Sequence, residues 1–569
     1  MTRYISLLLA ADARGVAAVL VVTTVATFQL VAGGTLVGQD SATQFYPWYL
    51  YLGDQLRSFE IPGWNPFQFA GAPFAADPQS GWMYLPAMVI FTLLPVSMAA
   101  PVFLWVHLAL AGLGTYALSR TLSMPVIGAV TAATAYQLSG PVYGRSVCCP
   151  AGMEVAVWTP WVLAGADVAI RSGNPRVRLG GWVLGGFALS QALAAWLGQG
   201  SYYLIMAMAA FIAWRTLISP SGSPSLKARF RNCLMHGAAI TAIGMGIGAA
   251  GLLPRFDYVA RSNLADGQYG GSSAWAAQIS GVTQDSVINR LLTPTLYYPG
   301  TATLVLAVIG VLIARKRFAA PFFVTLGICA VVLSSPTPTP LHHLLFALLP
   351  RFEELHQHWP ERVSLVAYIA PAILAGATVS ILVDRATAVR RFLPWALAPV
   401  AILFGLHQFG AGITTAAILI AAGLVVLVIA LMLWPLHTLQ QAAPVILVAV
   451  IAADLLMGTP TLAAEAPYGG FHRVDLADYY DSTGAAGFLK GQSGQGPFRA
   501  FGYDPSVRAV QDGQTVLYRH EFDEPEMQAL NVNNRAMVHG IYDVQGYNPV
   551  QVQRFVELME ALNGHGQYY

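Results

Sequence analysis

Some apolar runs in this chain are long enough to cross a lipid bilayer: Val16 to Val31 and Ile413 to Leu433 hold no charged residue. At about 1.5 Å per residue, such helices cover most or all of a hydrocarbon core roughly 30 Å thick. In lipid, only helices and closed barrels satisfy their own backbone groups, so these runs predict spanning helices. Composition agrees. Of the 569 residues, 10% are charged and 56% hydrophobic, whereas an ordinary soluble domain is roughly a quarter charged. A solvated globular surface cannot be built from so few charges. The net charge of +2 comes from short basic clusters between apolar blocks and not from a stripe, which excludes a nucleic-acid-binding class.

Four cysteines, Cys148, Cys149, Cys233 and Cys329, all lie before the C-terminal region, and no disulfide framework or thiolate metal site is expected of them. The N-terminus lacks a convincing small-residue cleavage site, so its apolar stretch reads as an uncleaved first helix.

Charge placement sets the topology. The clusters Arg171/Arg176/Arg178, Lys227/Arg229/Arg231, Arg315/Lys316/Arg317 and Arg385/Arg390/Arg391 sit in short loops and are expected on the cytoplasmic side of a bacterial inner membrane, with the N-terminus. The run 84–96 carries Pro86, ends at Pro95 and is too short to span, so it should dip into the interface. The remaining runs give about 13 spanning helices with the C-terminus outside. The expected fold class is therefore mainly α and polytopic: residues 1–459 form a membrane module, and 460–569 form a small α+β extracytoplasmic domain. The tail is read as α+β from its mixed charge, the alternating runs Phe498 to Tyr503 and Thr515 to His520, and a helical pattern at Val550 to Leu562. Loops 36–98, 255–298 and 335–360 share the outer face with the tail, and function should lie there.

The first loop is the most informative. It runs Gly38-Gln39-Asp40-Ser41-Ala42-Thr43-Gln44-Phe45-Tyr46-Pro47-Trp48, then Trp64-Asn65-Pro66, Gly71-Ala72-Pro73 and Asp77-Pro78-Gln79-Ser80-Gly81. Asp40 falls at the membrane surface among aromatics, where a carboxylate is costly unless bonded or used. Two readings compete: a functional carboxylate, or the cap of a helix from Ser41 to Tyr51 with tryptophans as an ordinary interfacial belt. Asp77 reads as an Asp-Pro turn. In the turn from Tyr143 to Glu154, Arg145 and Glu154 either serve a site or pair with each other. Arg255 and Arg261 follow a helix at headgroup depth and are candidate phosphate ligands. Ionisable residues crowd between His342 and Arg362, and Arg362 opens a helix where a phosphate could meet free N–H groups. His356 and His358 could form a metal pair, but no third ligand stands at a recognisable spacing, so they read as hydrogen-bonding groups and no metal or other cofactor is indicated.

Taken in order, Asp40 to Pro47, Trp64-Asn65-Pro66 to Pro86, Tyr297-Tyr298-Pro299-Gly300, Pro338 to Arg362 and Gly546-Tyr547-Asn548-Pro549 resemble the YfhO-type family of bacterial membrane proteins, within the GT-C superfamily of membrane glycosyltransferases. The resemblance implies a sugar transferred from a polyprenyl-phosphate-linked donor to a cell-envelope glycan, lipid or protein acceptor on the outer face. It assigns Asp40 as catalytic base. The candidates for substrate binding are Gln44, Arg145, Glu154, Arg255, Arg261, His356, His358 and Arg362; of these the resemblance reaches Arg145 and Glu154 by place and not by motif. Two other classes stay open: a transporter or flippase of a lipid-linked glycan, and a non-catalytic scaffold for envelope assembly. The gathering of charge in loops and the lack of an internal repeat speak against the transporter. The enzyme reading requires Asp40, Arg145, Arg261 and Arg362 to converge on one cavity.

Overall fold

The computed structural model describes residues 2–220, 222, 224–265, 291, 296–335, 339–356, 359–383, 397–408, 415–433, 437–457, 471–492, 496–501, 531 and 534–563. His358, the basic group at Arg385, Arg390 and Arg391, and the run Thr515 to His520 lie outside the described residues. Helix dominates. In chain order come α1 (Thr2–Val31), α2 (Tyr46–Arg57), α3 (Leu85–Leu93), α4 (Val96–Thr121), α5 (Val126–Gln137), α6 (Arg145–Cys148), α7 (Pro150–Arg171), α8 (Pro175–Ala195), α9 (Gln199–Ala213) and α10 (Leu226–Val259). Further helices include Thr301–Ala314, Ala320–Leu333, Ile369–Val383, Thr415–Leu433 and His437–Leu456.

Among the described residues, six segments are long and apolar enough to cross a membrane: Ala10–Val31, Val96–Thr121, Pro150–Arg171, Gln199–Ile218, Leu226–Val259 and Pro360–Val383. The chain is a multi-pass membrane protein. Each expected span overlaps a helix, though some are short: Thr301–Ala314 and Ala320–Leu333 have 14 residues each and α5 has 12. At about 1.5 Å per residue these reach roughly 18–21 Å, less than the hydrocarbon thickness. Thr415–Leu433 and His437–Leu456, with 19 and 20 residues, reach roughly 28–30 Å. Helix α3 is nine residues long, too short to span, as Pro86 and Pro95 lead one to expect.

Small residues let the central helices touch. A Cβ on Gly165 would come within 2.5 Å of the Gly185 nitrogen, and one on Gly181 within 2.7 Å of Gly165 O, so α7 and α8 approach backbone to backbone. Charges collect at one end of this bundle. Arg120 Nε bonds Asp12 Oδ1 at 2.8 Å, Arg215 Nε bonds Asp167 Oδ1 at 2.7 Å, Arg171 caps the end of α4 through Thr121 O, and Arg229 reaches Leu217 O. The buried Asp167 and its two arginines thus form a structural cluster. The opposite end carries the loop after α1.

That loop is built from its own turns and sealed by the tail. The Asn65 and Asp77 side chains accept from Phe67 N and Gln79 N, two residues on in each case, and β2 (Trp64–Asn65) pairs with β3 (Ala72–Pro73). Trp48 is 1% exposed and donates to Gln68 at 3.1 Å, so it is a core residue under the loop and not a member of an interfacial belt. Where an α+β unit is expected in the tail, the described residues set its strand β4 (His472–Val474) antiparallel to β1 (Thr35–Val37) of the first loop. Phe69 N and Ala70 N donate to Gln545 O and Asp543 O, both at 2.8 Å. A Cβ on Gly546 would stand 2.5 Å from the Gln68 side chain, so this close crossing demands glycine.

Candidate active site

Asp40 starts a single π-helical turn, Ser41–Phe45, that runs directly into α2. Its backbone is already helical and its side chain makes no capping bond, which removes the capping reading. Instead Asp40 Oδ1 accepts from Tyr547 Oη at 2.7 Å, across 507 positions of sequence. Irregular turns of this kind often mark functional positions. The neighbouring motif residue, Asn548, clamps Asp77 Oδ2 at 2.8 Å. Asp77 is 3% exposed, and burial lifts its carboxyl to about 6 despite hydrogen bonds from Gln79 and Asn548 and the nearby positive charge of Arg255. It is a structural latch between loop and tail.

Asp40, Gln44, Arg145 and Arg362 line one cleft of about 90 Å³ with Gln79, Cys149, Gly152, Trp196 and Pro549. They come from many parts of the chain: the π-turn with Asp40 and Gln44, the first loop, α6, the start of α7, the end of α8, the turn Pro360–Val363, and the tail. Arg145 is 5% exposed, and its Nη2 donates to Tyr297 Oη at 3.0 Å while its Nε has no protein partner. Arg362 bonds Gln199 Oε1 at 3.3 Å and lies 5.5 Å from the centre of the Trp196 ring. Gln44 reaches Gln79 at 3.4 Å. One carboxylate thus faces two guanidinium groups. Such a cleft is suited to an anionic phosphate beside a proton acceptor.

Beside the cleft lies a groove of about 500 Å³, and the two share Gln79, Trp196 and Arg362 in their linings. The groove is walled mainly by apolar side chains such as Leu193, Ile205, Met245, Phe256 and Leu355. A polar cleft beside an apolar trough has the form needed for an amphiphile with a charged head.

Other candidates lie elsewhere. Glu154 is fully buried and accepts from Tyr49 Oη at 2.5 Å, so it neither enters the cleft nor pairs with Arg145. Arg255 does not end a helix, because α10 continues through Pro254 to Val259. Its guanidinium therefore turns inward, donating to Leu193 O and Ala194 O at 2.8 Å and Trp82 O at 3.0 Å. Arg261 is exposed and pairs with Asp257 at 3.0 Å, one helical turn back, so the expected convergence fails at this residue. His356 is fully buried, with its ring nitrogens engaged by Tyr203 Oη at 2.7 Å and Leu333 O at 3.0 Å. Burial, with the His342 ring nearby, depresses its pKa to about 3, so it is a neutral structural group. Among the described residues, no three His, Cys, Asp or Glu side chains gather as a metal site.

Sequence reasoning missed Tyr547, Gln79, Trp196 and the adjacent cysteines. Cys148 and Cys149 form a disulfide, and Cys149 faces the cleft. The Gly546-Tyr547-Asn548-Pro549 run was the available signal for the tail's part in the site.

No protein-family model and no curated protein matches the chain. Solved structures do. The arabinofuranosyltransferase AftD from Mycobacteria aligns over 95% of this chain and 32% of its own, at 13% identity and a TM-score of 0.50. ArnT from Cupriavidus metallidurans bound to undecaprenyl phosphate aligns over 95% and 90%, at 14% identity and 0.45. The Archaeoglobus fulgidus oligosaccharyltransferase aligns over 93% and 64%, at 12% identity and 0.43. These neighbours are GT-C glycosyltransferases. The chain spans about a third of the first and just under two thirds of the last. The likeness is one of fold.

Proposed function

We propose that this chain is a GT-C-type membrane glycosyltransferase that moves a sugar from a polyprenyl-phosphate-linked donor to a cell-envelope acceptor on the outer face of the bacterial cytoplasmic membrane. The observation that carries the reading is a cleft holding a carboxylate and two arginines that shares three lining residues with a neighbouring apolar groove. The ordered motifs shared with the YfhO-type family agree with it. So does the charge asymmetry: the basic clusters around Arg120, Arg171 and Arg215 lie at the end of the bundle away from Asp40, as expected if that end is cytoplasmic. Residues 1–459 then form the membrane module, and the segment 460–569 closes the site.

In this reading the isoprenoid lies in the groove and its phosphate meets Arg145 and Arg362. Asp40 takes the proton of the acceptor hydroxyl as that oxygen bonds the anomeric carbon. The carbon–oxygen bond to phosphate breaks, and the departing lipid phosphate keeps the electron pair, stabilised by both guanidinium groups. Tyr547 holds the Asp40 carboxylate in place through its 2.7 Å bond.

Purified protein in nanodiscs, supplied with polyprenyl-phosphate sugars and envelope acceptors, should transfer sugar, and Asp40→Asn should lose at least a hundredfold in rate, as expected for loss of a general base. Transfer by Asp40→Asn at the wild-type rate would remove Asp40 from this role. Movement of the lipid across liposomes without any covalent product would instead indicate a transporter.

A further inference from the structure

The segment Arg145 to Cys149 touches both sides of the cleft. Val147 O accepts from Gly38 N at 2.7 Å and from Ser41 Oγ at 2.8 Å, so it braces the backbone on either side of Asp40. On its other side it carries Arg145, whose carbonyl accepts from Cys149 N at 2.9 Å. The Arg145 stem is hemmed by the first turn of α7, where a Cβ on Gly152 would meet Arg145 Cδ at 3.2 Å. Between α6 and α7 the chain must break its helical path, and Cys149 does so with φ −138° and ψ 67°. Torsional freedom at this joint would swing Arg145 and loosen the support of Asp40 together.

The Cys148–Cys149 disulfide lies across that joint. Linking two neighbouring side chains closes a ring that contains their shared peptide, which restricts rotation at both residues. We infer that the Cys148–Cys149 bond is a positioning device for the active site: closed, it holds Arg145 and the Asp40 turn in register for a lipid phosphate, and a dithiol reductant reaching Cys149 through the cleft releases them. This rests on the proposed function above. In the exchange, a thiolate of the dithiol attacks one cysteine sulfur and the Cys148–Cys149 bond breaks. A mixed disulfide forms, and the second thiol of the reductant then displaces the cysteine. Two electrons and two protons pass to the protein, leaving two thiols and an oxidised dithiol.

The test uses full-length protein in nanodiscs, with farnesyl phosphate and its uncharged counterpart farnesol as probes, before and after dithiothreitol. Alkylation and peptide mass mapping report the state of Cys148 and Cys149. Opening the bond should weaken farnesyl phosphate binding about tenfold, the scale of one charge-assisted hydrogen bond, and leave farnesol unchanged. A merely structural role would weaken both probes alike and would overturn the inference. The Cys148→Ser/Cys149→Ser protein should bind like the reduced wild type and ignore dithiothreitol. In Arg145→Gln, which lacks the guanidinium being positioned, reduction should no longer change phosphate binding. Equal binding of farnesyl phosphate by mapped oxidised and reduced protein defeats the positioning role while sparing the glycosyltransferase reading. No phosphate-dependent binding in either state defeats both.

Discussion

Replacing Asp77 by asparagine should stabilise the protein at neutral pH, an unusual outcome for a buried, fully bonded side chain. Burial raises the Asp77 carboxyl from its ordinary 3.8 to about 6. Because the folded value lies above the unfolded one, its contribution to stability is fully present below about pH 4 and is lost as pH climbs through about 6. At about 1.4 kcal/mol per tenfold change in proton affinity, the ionised group costs the fold about 3 kcal/mol at pH 7. The amide put in its place keeps an oxygen for Gln79 N, but its NH2 faces the Asn548 NH2, whose oxygen is already held by Val550 N, so the second bond is lost at a cost of about 2 kcal/mol. The expected net gain at pH 7 is thus about 1 kcal/mol, turning into a loss by pH 4. Thermal unfolding of both proteins in nanodiscs between pH 4 and 8 measures it. A wild-type midpoint that does not fall between pH 4 and 7, or an Asp77→Asn midpoint below wild type at pH 7, would refute the reasoning.

Tyr547→Phe removes only the hydroxyl that holds Asp40, so sugar transfer should drop roughly tenfold or more while the thermal midpoint moves little; unchanged kcat/KM would separate Tyr547 from the site. Arg255→Met leaves three buried carbonyls without a donor and should cost on the order of 3–5 kcal/mol, seen in thermal unfolding; weakened phosphate binding in a protein of normal stability would instead make Arg255 a ligand. Arg261→Ala breaks an exposed pair and should leave both the midpoint and the transfer rate unaltered, so a loss of transfer would return Arg261 to the site.

The membrane helices were legible because apolar length is a local property, and the shortness of α3 was legible because Pro86 and Pro95 bound it. Asp40 stood out because a carboxylate among aromatics at a helix end is conspicuous on its own. The failures share a cause. Arg255 reads as a headgroup ligand only if α10 stops at Pro254, and its continuation to Val259 turns the side chain inward. Asp77 reads as a plain turn until Asn548 reaches it from the tail, and nothing in the first loop announces Tyr547. For Cys148 and Cys149, placement before the tail suggested no bond, whereas adjacency at a helix break brings them together. Contacts that join distant segments leave little trace in either one.

The bond between Tyr547 and Asp40 also has a temporal side. With 507 positions between them and synthesis at about 5–20 residues per second, roughly 25–100 s pass on the ribosome between the emergence of the aspartate and that of its tyrosine. During that interval the first loop lacks both β4 and the latch on Asp77. Translation that stops before Tyr547 would therefore yield a chain that carries Asp40 without the hydroxyl that holds it.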